Sequence, residues 1–444
     1  MLRLYATYKS DFRANFHLAF PLILGQVGQI IVNIADNVMV GRLGAAELAA
    51  VSLANAVFIS FLVVGMGISF ALPPLVAEAN GQQDMKRISQ HTKHSLLVNL
   101  GFALLAIISI ELIVPALQFM GQDAEVVVFA QPYLRISAYT MIPFMIFQTF
   151  RCYADGRSET LPAMIAMLLA NVINIAANYV LIYGKFGAPA LGVRGAAIGT
   201  MIARICMVIF LLLIVRYWKT LWKEVAAMNF RVYQKPAFWK ILKLGIPTSL
   251  QGFFEVSAFG LAAIFAGMIH KEAQAAHQIA INLAAISFLI CTGIAMAATI
   301  RVGNHFGELN KTRIRTIGVS AILQVAFFMA LTSITYISLR YFLPSLYIQN
   351  QEVIDIAAGL LIMASIFQIP DGIQVTAIGA LRGMQDVNVP TVITFVAYYL
   401  MALPIAYLLA FRFNMGALGI WVGLSVGLTI SATFMTLRFL KKSK

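Results

Sequence analysis

Residues 16–41 read FHLAFPLILGQVGQIIVNIADNVMVG. A helix needs about 20 apolar residues to cross a bilayer, and this run is long enough. It nevertheless carries Gln26, Gln29, Asn33 and Asp36. Steps of three, four and three put these four side chains on one helical face, with Leu, Ile and Val on the others. A carboxylate at the centre of a spanning helix costs about 2.5–3.5 kcal/mol on insertion scales. Lipid satisfies neither the acid nor the amides, so the stripe must face protein or a water-filled space. The stretch therefore predicts one helix of a membrane bundle, with its polar side turned inward.

The rest of the chain agrees with this reading. Of 444 residues, 60% are hydrophobic and 11% are charged, and the mean hydropathy is +0.84. About 25% charged residues is usual for a soluble domain. Apolar runs recur at about 16–40, 48–72, 95–118, 131–151, 161–184, 193–216, 242–268, 274–299, 316–340, 355–380, 390–411 and 415–438. The expected fold is thus an all-α integral membrane protein with twelve transmembrane helices. The polar N-terminal residues lead straight into a full-length apolar segment, unlike a cleavable signal.

The net charge of +14 comes largely from basic residues in the connections on one side of these spans. Residues 80–94 hold Lys86, Arg87 and Lys93; residues 217–241 hold Lys219, Lys223, Arg231, Lys235 and Lys240; residues 300–315 hold Arg301, Lys311, Arg313 and Arg315. The tail adds Arg438, Lys441, Lys442 and Lys444. The positive-inside rule then puts both termini in the cytoplasm. Basic and aromatic residues do not interleave as at a nucleic-acid site, so no nucleic-acid partner is expected. Cys152, Cys206 and Cys291 lack CxxC spacing and read as small buried hydrophobes.

The chain repeats itself. A shift of 226 residues sets FPLILGQVGQ (20–29) on IPTSLQGFFE (246–255), with Pro21 on Pro247. The same shift sets LAAVSLANA (48–56) on QAAHQIAIN (274–282) and LVAEANGQ (75–82) on RVGNHFGE (301–308). Further on, GVRGAAIGT (192–200) echoes GALGIWVGL (416–424). We expect an N-terminal six-helix lobe over 1–216, a cytoplasmic linker over 217–241 and a C-terminal six-helix lobe over 242–444. A six-span repeat relates its halves by an axis along the membrane normal, with a cleft between them, as in transporters.

Further polar groups fall inside the spans. Asn174 and Asn178 lie one turn apart on the fifth, with Asn171 nearby, and Thr200 lies on the sixth. Amide, hydroxyl and carboxylate oxygens suit a hard cation, though interhelical hydrogen bonding explains the amides equally well. In the second half Glu255 follows Gln251 by one turn, Asp371 is flanked by Gln368 and Gln374, and Gln278 and Asn282 are four apart. Pro370 is expected to kink the helix beside Asp371. His277 reads as a packing histidine and Glu111 as a peripheral acid. Arg135 and Arg204 are the basic residues clearly within spans, and either is a possible partner for Asp36. Burial favours the neutral form of a carboxyl, whereas a nearby cation favours the ionised form. That competition is what a coupled carrier requires. Phe253 and Phe254, beside Glu255, are placed to hold flat apolar cations.

No HExxH, Walker lysine loop or Ser/His/Asp set is present, so an enzyme is not expected. His91 and His94 lack acidic or cysteine partners for a metal. With no ATPase domain in the sequence, an ion or substrate gradient must supply the energy.

FFEVSAFG, AAHQIAIN, IRVGNHFGE and GALRGMQD resemble second-half signatures of the multidrug and toxic compound extrusion transporters, in particular the NorM-like branch. ADNVMVGRLG and YADGRSETLPAM resemble the first-half counterparts, and the likeness runs through essentially the whole chain. It implies two pseudo-symmetric six-helix lobes around a central cavity, with Na+ or H+ entry driving export of organic, mostly cationic compounds. It places Asp36, Asn174, Asn178, Thr200, Glu255 and Asp371 at cation-coupling positions, with transient Na+ at the three acids. Some relatives carry a second acid where this chain has Asn178, which favours a coordinated metal cation over a proton relay. Gln26, Asn33, Gln251, Phe253, Gln278, Asn282, Gln368 and Gln374 are the expected substrate-side residues. No cofactor is expected besides the coupling ion, and the expected partners are small organic cations, Na+ or H+, and membrane lipid, with the chain acting as a monomer. The alternatives are a lipid-linked oligosaccharide flippase, which would want intramembrane Arg or Lys where the second half has acids, and a non-coupled channel.

Overall fold

The computed structural model describes the backbone of residues 2–119 and 121–444, and side chains from Tyr8 onward. Among the described residues, regular structure is entirely helical. The first half of the chain forms α1 (Leu2–Gly41), α2 (Ala45–Ser69), α3 (Leu72–Gly81), α4 (Met85–Ile113), α5 (Ala124–Tyr139), α6 (Met141–Gly156), α7 (Leu161–Tyr183) and α8 (Gly192–Tyr217). A short α9 (Lys219–Ala226) leads to α10 (Lys235–Ile269), α11 (Lys271–Gly307), α12 (Lys311–Ser338), α13 (Phe342–Ser345) and α14 (Gln351–Gly383). Then come α15 (Asn388–Phe395), α16 (Leu403–Tyr407) and α17 (Gly416–Lys442), with π-helical turns on both sides of α16.

Eleven helical segments among the described residues are long and apolar enough to cross a membrane. The remaining crossing, expected as one helix over 131–151, is broken into α5 and α6. Pro143 explains the break. It lacks an N–H, and its ring crowds the carbonyl four residues back, that of Tyr139. Thr140 closes the joint, its N–H and its hydroxyl both donating to the Ser137 carbonyl at 3.1 and 2.6 Å. Elsewhere helices outrun the apolar runs that announced them. α11 has 37 residues and α14 has 33, because helical hydrogen bonding continues past the point where apolar side chains end. α14 runs through Pro370 as one helix.

The chain divides into two compact units, Leu24–Ser249 in one and Met1–Ile23 with Leu250–Lys444 in the other. The boundaries therefore fall inside α1 and α10. In the first unit α7 and α8 lie close together, because a Cβ on Gly195 would sit 2.5 Å from the Leu181 carbonyl oxygen. Small residues at four-residue spacing let backbones approach in this way. Glu78 holds Lys240 at 3.1 Å and Arg87 at 3.7 Å. In the second unit α11, α14 and α17 bury Phe367, Trp421, Leu424 and Leu428. There the start of α1 is anchored through Asp11, 2% exposed, to Arg301 at 2.6 Å and Arg313 at 2.9 Å. Asn15 adds a hydrogen bond to Ser320.

The repeat is visible in the backbone. Gln83 and Leu309, matched by the 226-residue shift, both adopt left-handed conformations, with φ of 56° and 57°. Each is followed by an N-cap: Asp84 accepts from the Arg87 N–H, and Asn310 from the Arg313 N–H. Gly192 and Gly416, which open the matched α8 and α17, have φ of 54° and 57°, where glycine carries no Cβ penalty.

Within α14, Gly379 and Gly359 make opposite predictions. A Cβ at Gly379 would lie 2.3 Å from the Ala295 carbonyl oxygen of α11, whereas one at Gly359 meets nothing within 4 Å. Gly379→Ala should destabilise by about 1–3 kcal/mol through overpacking. Gly359→Ala should be neutral or stabilising by up to about 1 kcal/mol. Thermal unfolding of the two purified variants checks the contrast.

Candidate functional site

The polar stripe of α1 has a definite destination. Gln26, Gln29, Asn33 and Asp36 all line one cavity of the first unit, about 440 Å3 in volume, together with residues of α2, α5, α6, α7 and α8. Asp36 is held from behind. Its Oδ1 accepts a hydrogen bond of 2.6 Å from Asn178 Nδ2, which also donates to Asn174 Oδ1 at 3.2 Å. Asn174 Nδ2 in turn donates to Thr200 Oγ1 at 3.5 Å. The four residues singled out from three separate spans thus form one connected set.

Asn178 is fully buried and reaches this place because α8 has glycine opposite it: a Cβ on Gly199 would sit 2.0 Å from Asn178 Oδ1. That oxygen is buried without a hydrogen-bond donor. The Asp36 carboxylate, Asn174 Oδ1 and Thr200 Oγ1 are linked through the two asparagine amides, and oxygens of these kinds are what hard cations take. Among the described residues no group of three His, Cys, Asp or Glu side chains is placed to hold a metal, so a multi-ligand transition-metal site is not what this set resembles.

Arg135 does not partner Asp36; it pairs with Glu111 at 2.9 Å. Arg204 lines the same cavity as Asp36. Its guanidinium lies over Phe58 and Phe144, 5.2 and 5.0 Å from the ring centroids, contacts worth about 0.5–2 kcal/mol. Its Nη1 donates to Thr140 at 2.5 Å, at the break between α5 and α6. Sequence reasoning missed Asn37, Asn55 and Tyr133, which also line the cavity. Asn37 steps off the stripe's spacing, and the other two sit singly in apolar runs.

The second unit gathers Glu255 of α10 and Asp371 of α14 within electrostatic reach of one another. The Tyr398 hydroxyl lies within reach of both acids and hydrogen-bonds Gln374 at 3.3 Å. Glu255 Oε1 is buried without a donor, and Arg382 acts on Glu255 electrostatically. Arg382 escaped the sequence reading because it stands beyond the apolar run of its span. Gln251 donates to Thr394 at 3.3 Å, and Gln368 is fully buried. Phe254 packs on Phe395 and Tyr399 at 5.1 and 5.7 Å, while Phe253 is 42% exposed. Gln278 and Asn282 bond each other at 3.0 Å on an exposed face. His277 is a packing histidine, accepting from Trp421 Nε1 at 3.1 Å.

The MatE family model matches residues 21–180 and again 247–408, once in each half of the chain. The chain belongs to the MatE family. Among curated MatE relatives, the multidrug resistance protein NorM of Vibrio vulnificus (strain YJ016) is 34% identical, with 97% of this chain and 95% of that protein covered. NorM of Aliivibrio fischeri (strain ATCC 700601 / ES114) is 33% identical over 98% and 95%. The fold matches an outward-facing multidrug resistance MATE family transporter of the MOP superfamily at TM-score 0.88, with 22% identity and 98% and 96% of the two chains covered. It matches a eukaryotic MATE transporter at 0.86, with 22% identity over 98% and 99%. This MatE protein is a multi-pass membrane transporter of the multidrug efflux type, and not an enzyme.

The Asp36–Asn178 contact makes a stability prediction of its own. Asn178→Ala removes a short hydrogen bond to an acid and should cost about 1–3 kcal/mol. Combined with Asp36→Ala, it should cost clearly less than the sum of the single changes, because the two residues share one interaction. A double-mutant cycle on unfolding in detergent measures this; strict additivity would mean that the contact carries no energy.

Proposed function

We propose that this transporter is a cation-coupled antiporter, taking up Na+ or H+ and exporting organic, mostly cationic compounds by alternating access. The observation that carries the reading is the Asp36 carboxylate lining a polar cavity, hydrogen-bonded through Asn178 to Asn174 and Thr200 and without an ion-pair partner among the described residues. An embedded acid without a fixed ion-pair partner has to be protonated, bind a mobile cation or meet water. Coupling then works by competition. Uptake of Na+ or H+ at Asp36, Glu255 and Asp371 lowers their attraction for a cationic substrate, and departure of the ion restores it. Either ligand shifts the conformational equilibrium only through its difference in affinity for the two states. The tyrosine and phenylalanines around Glu255 suit apolar cations through cation–π contact. The asymmetry of Lys and Arg supports an inner-membrane location with both termini cytoplasmic.

The test is export of ethidium from proteoliposomes under an imposed Na+ or pH gradient. Glu255→Gln and Asp371→Asn should each reduce ion-driven export to background while the proteins still purify folded. Asp36→Asn should remove the dependence on the coupling ion. Wild-type export rates in both Glu255→Gln and Asp371→Asn would sink the scheme. Flux that fails to saturate with substrate would point to a channel instead.

A further inference from the structure

Arg204 is a guanidinium in a membrane span, and such groups are costly unless they act. It follows Thr200 by one turn of α8, so it faces the same cavity as the Asp36 set. Within the first unit that cavity is lined by one carboxylate, Asp36, and two guanidiniums, Arg151 and Arg204. Arg151 is engaged by Asp155 at 3.6 Å. Arg204 has no carboxylate within 4.0 Å among the described residues; it rests on Phe58 and Phe144 and bonds Thr140. Among the described residues Asp36 likewise has no ion-pair partner within 4.0 Å; its Oδ1 accepts from the Asn178 amide. The two opposite charges stand close enough to act on one another, yet they are not joined.

We propose that Arg204 is a tethered counter-ion for Asp36. With a coupling cation on the Asp36 set, the guanidinium stays parked on the two phenyl rings. When the cation leaves, the long side chain swings to the carboxylate and neutralises it, so the ion-free site need not bury an uncompensated charge. Arg204 is thus a positioning residue that competes with the coupling cation and holds its affinity down. The rings set the balance, because they stabilise the parked position. This inference rests on the ion-coupled reading of the Asp36 set.

The test is the concentration of Na+, or of H+ through external pH, that gives half-maximal ethidium export by the full-length protein in proteoliposomes. Arg204→Gln removes the competitor and should lower the half-saturating cation concentration about tenfold. Arg204→Lys, which keeps a charge, should stay close to wild type. Phe58→Leu with Phe144→Leu weakens the parked position and should raise the half-saturating concentration several-fold. A merely structural role would lower the maximal rate of all these variants without moving that concentration in opposite directions. An unchanged cation dependence in Arg204→Gln, with Asp36→Asn still uncoupled, overturns the tethered counter-ion alone. If Asp36→Asn keeps wild-type ion coupling, the ion-coupled reading of the set falls, and this inference falls with it.

Discussion

Hydrocarbon supplies no hydrogen-bond partner, and this constraint decides where every polar side chain in the spans can point. The stripe on α1 turns into a cavity. Glu111, on α4, is met by Arg135 of α5. His277 of α11 receives the indole N–H of α17. Serines and threonines fold back on their own helices, as Ser69 does on Gly65 and Thr248 on Leu244. Asp36, Arg204, Glu255 and Asp371 stand apart because packing alone gives no reason for charge there. Function is read from that remainder.

Much of this was legible in the sequence, because the spans and the stripe depend on periodicity and polarity alone. Gln26, Gln29, Asn33 and Asp36 share a face by spacing, and the cavity receives all four. Asn174, Asn178 and Thr200 were legible as polar groups within spans, but their connection to Asp36 depends on a close approach of helices that Gly199 allows. The break at Thr140 was missed because an averaged hydropathy run does not register the loss of a single carbonyl partner to Pro143. Arg382 was missed for a related reason. Helices extend beyond their apolar runs, so a charge that belongs to a connection by hydropathy still belongs to a helix by hydrogen bonding. Phe253 and Phe254 could not be told apart by type, only by direction.

The repeat explains how one scaffold carries two different sites. Under the 226-residue shift, Gln29, Asn33 and Asp36 of α1 correspond to Glu255, Phe259 and Ala262 of α10. In the first unit this face opens on a polar cavity. In the second, Ala258, Ala262 and Ala266 are fully buried at successive turns within the apolar core, and Phe259 packs edge-on against Phe367 and Tyr398 at 6.0 Å each. Small residues at this spacing let helices close together, so the place that Asp36 takes in α1 is sealed in α10. The acid has moved two turns along the same stripe, to the position of Gln29, where Tyr398 and Asp371 stand within electrostatic reach. Its neighbours there are aromatic rings and a second acid, with the Arg382 guanidinium also in electrostatic reach. Around Asp36 they are amides, a threonine and a guanidinium. The two units therefore share a backbone repeat while surrounding their acids with different groups.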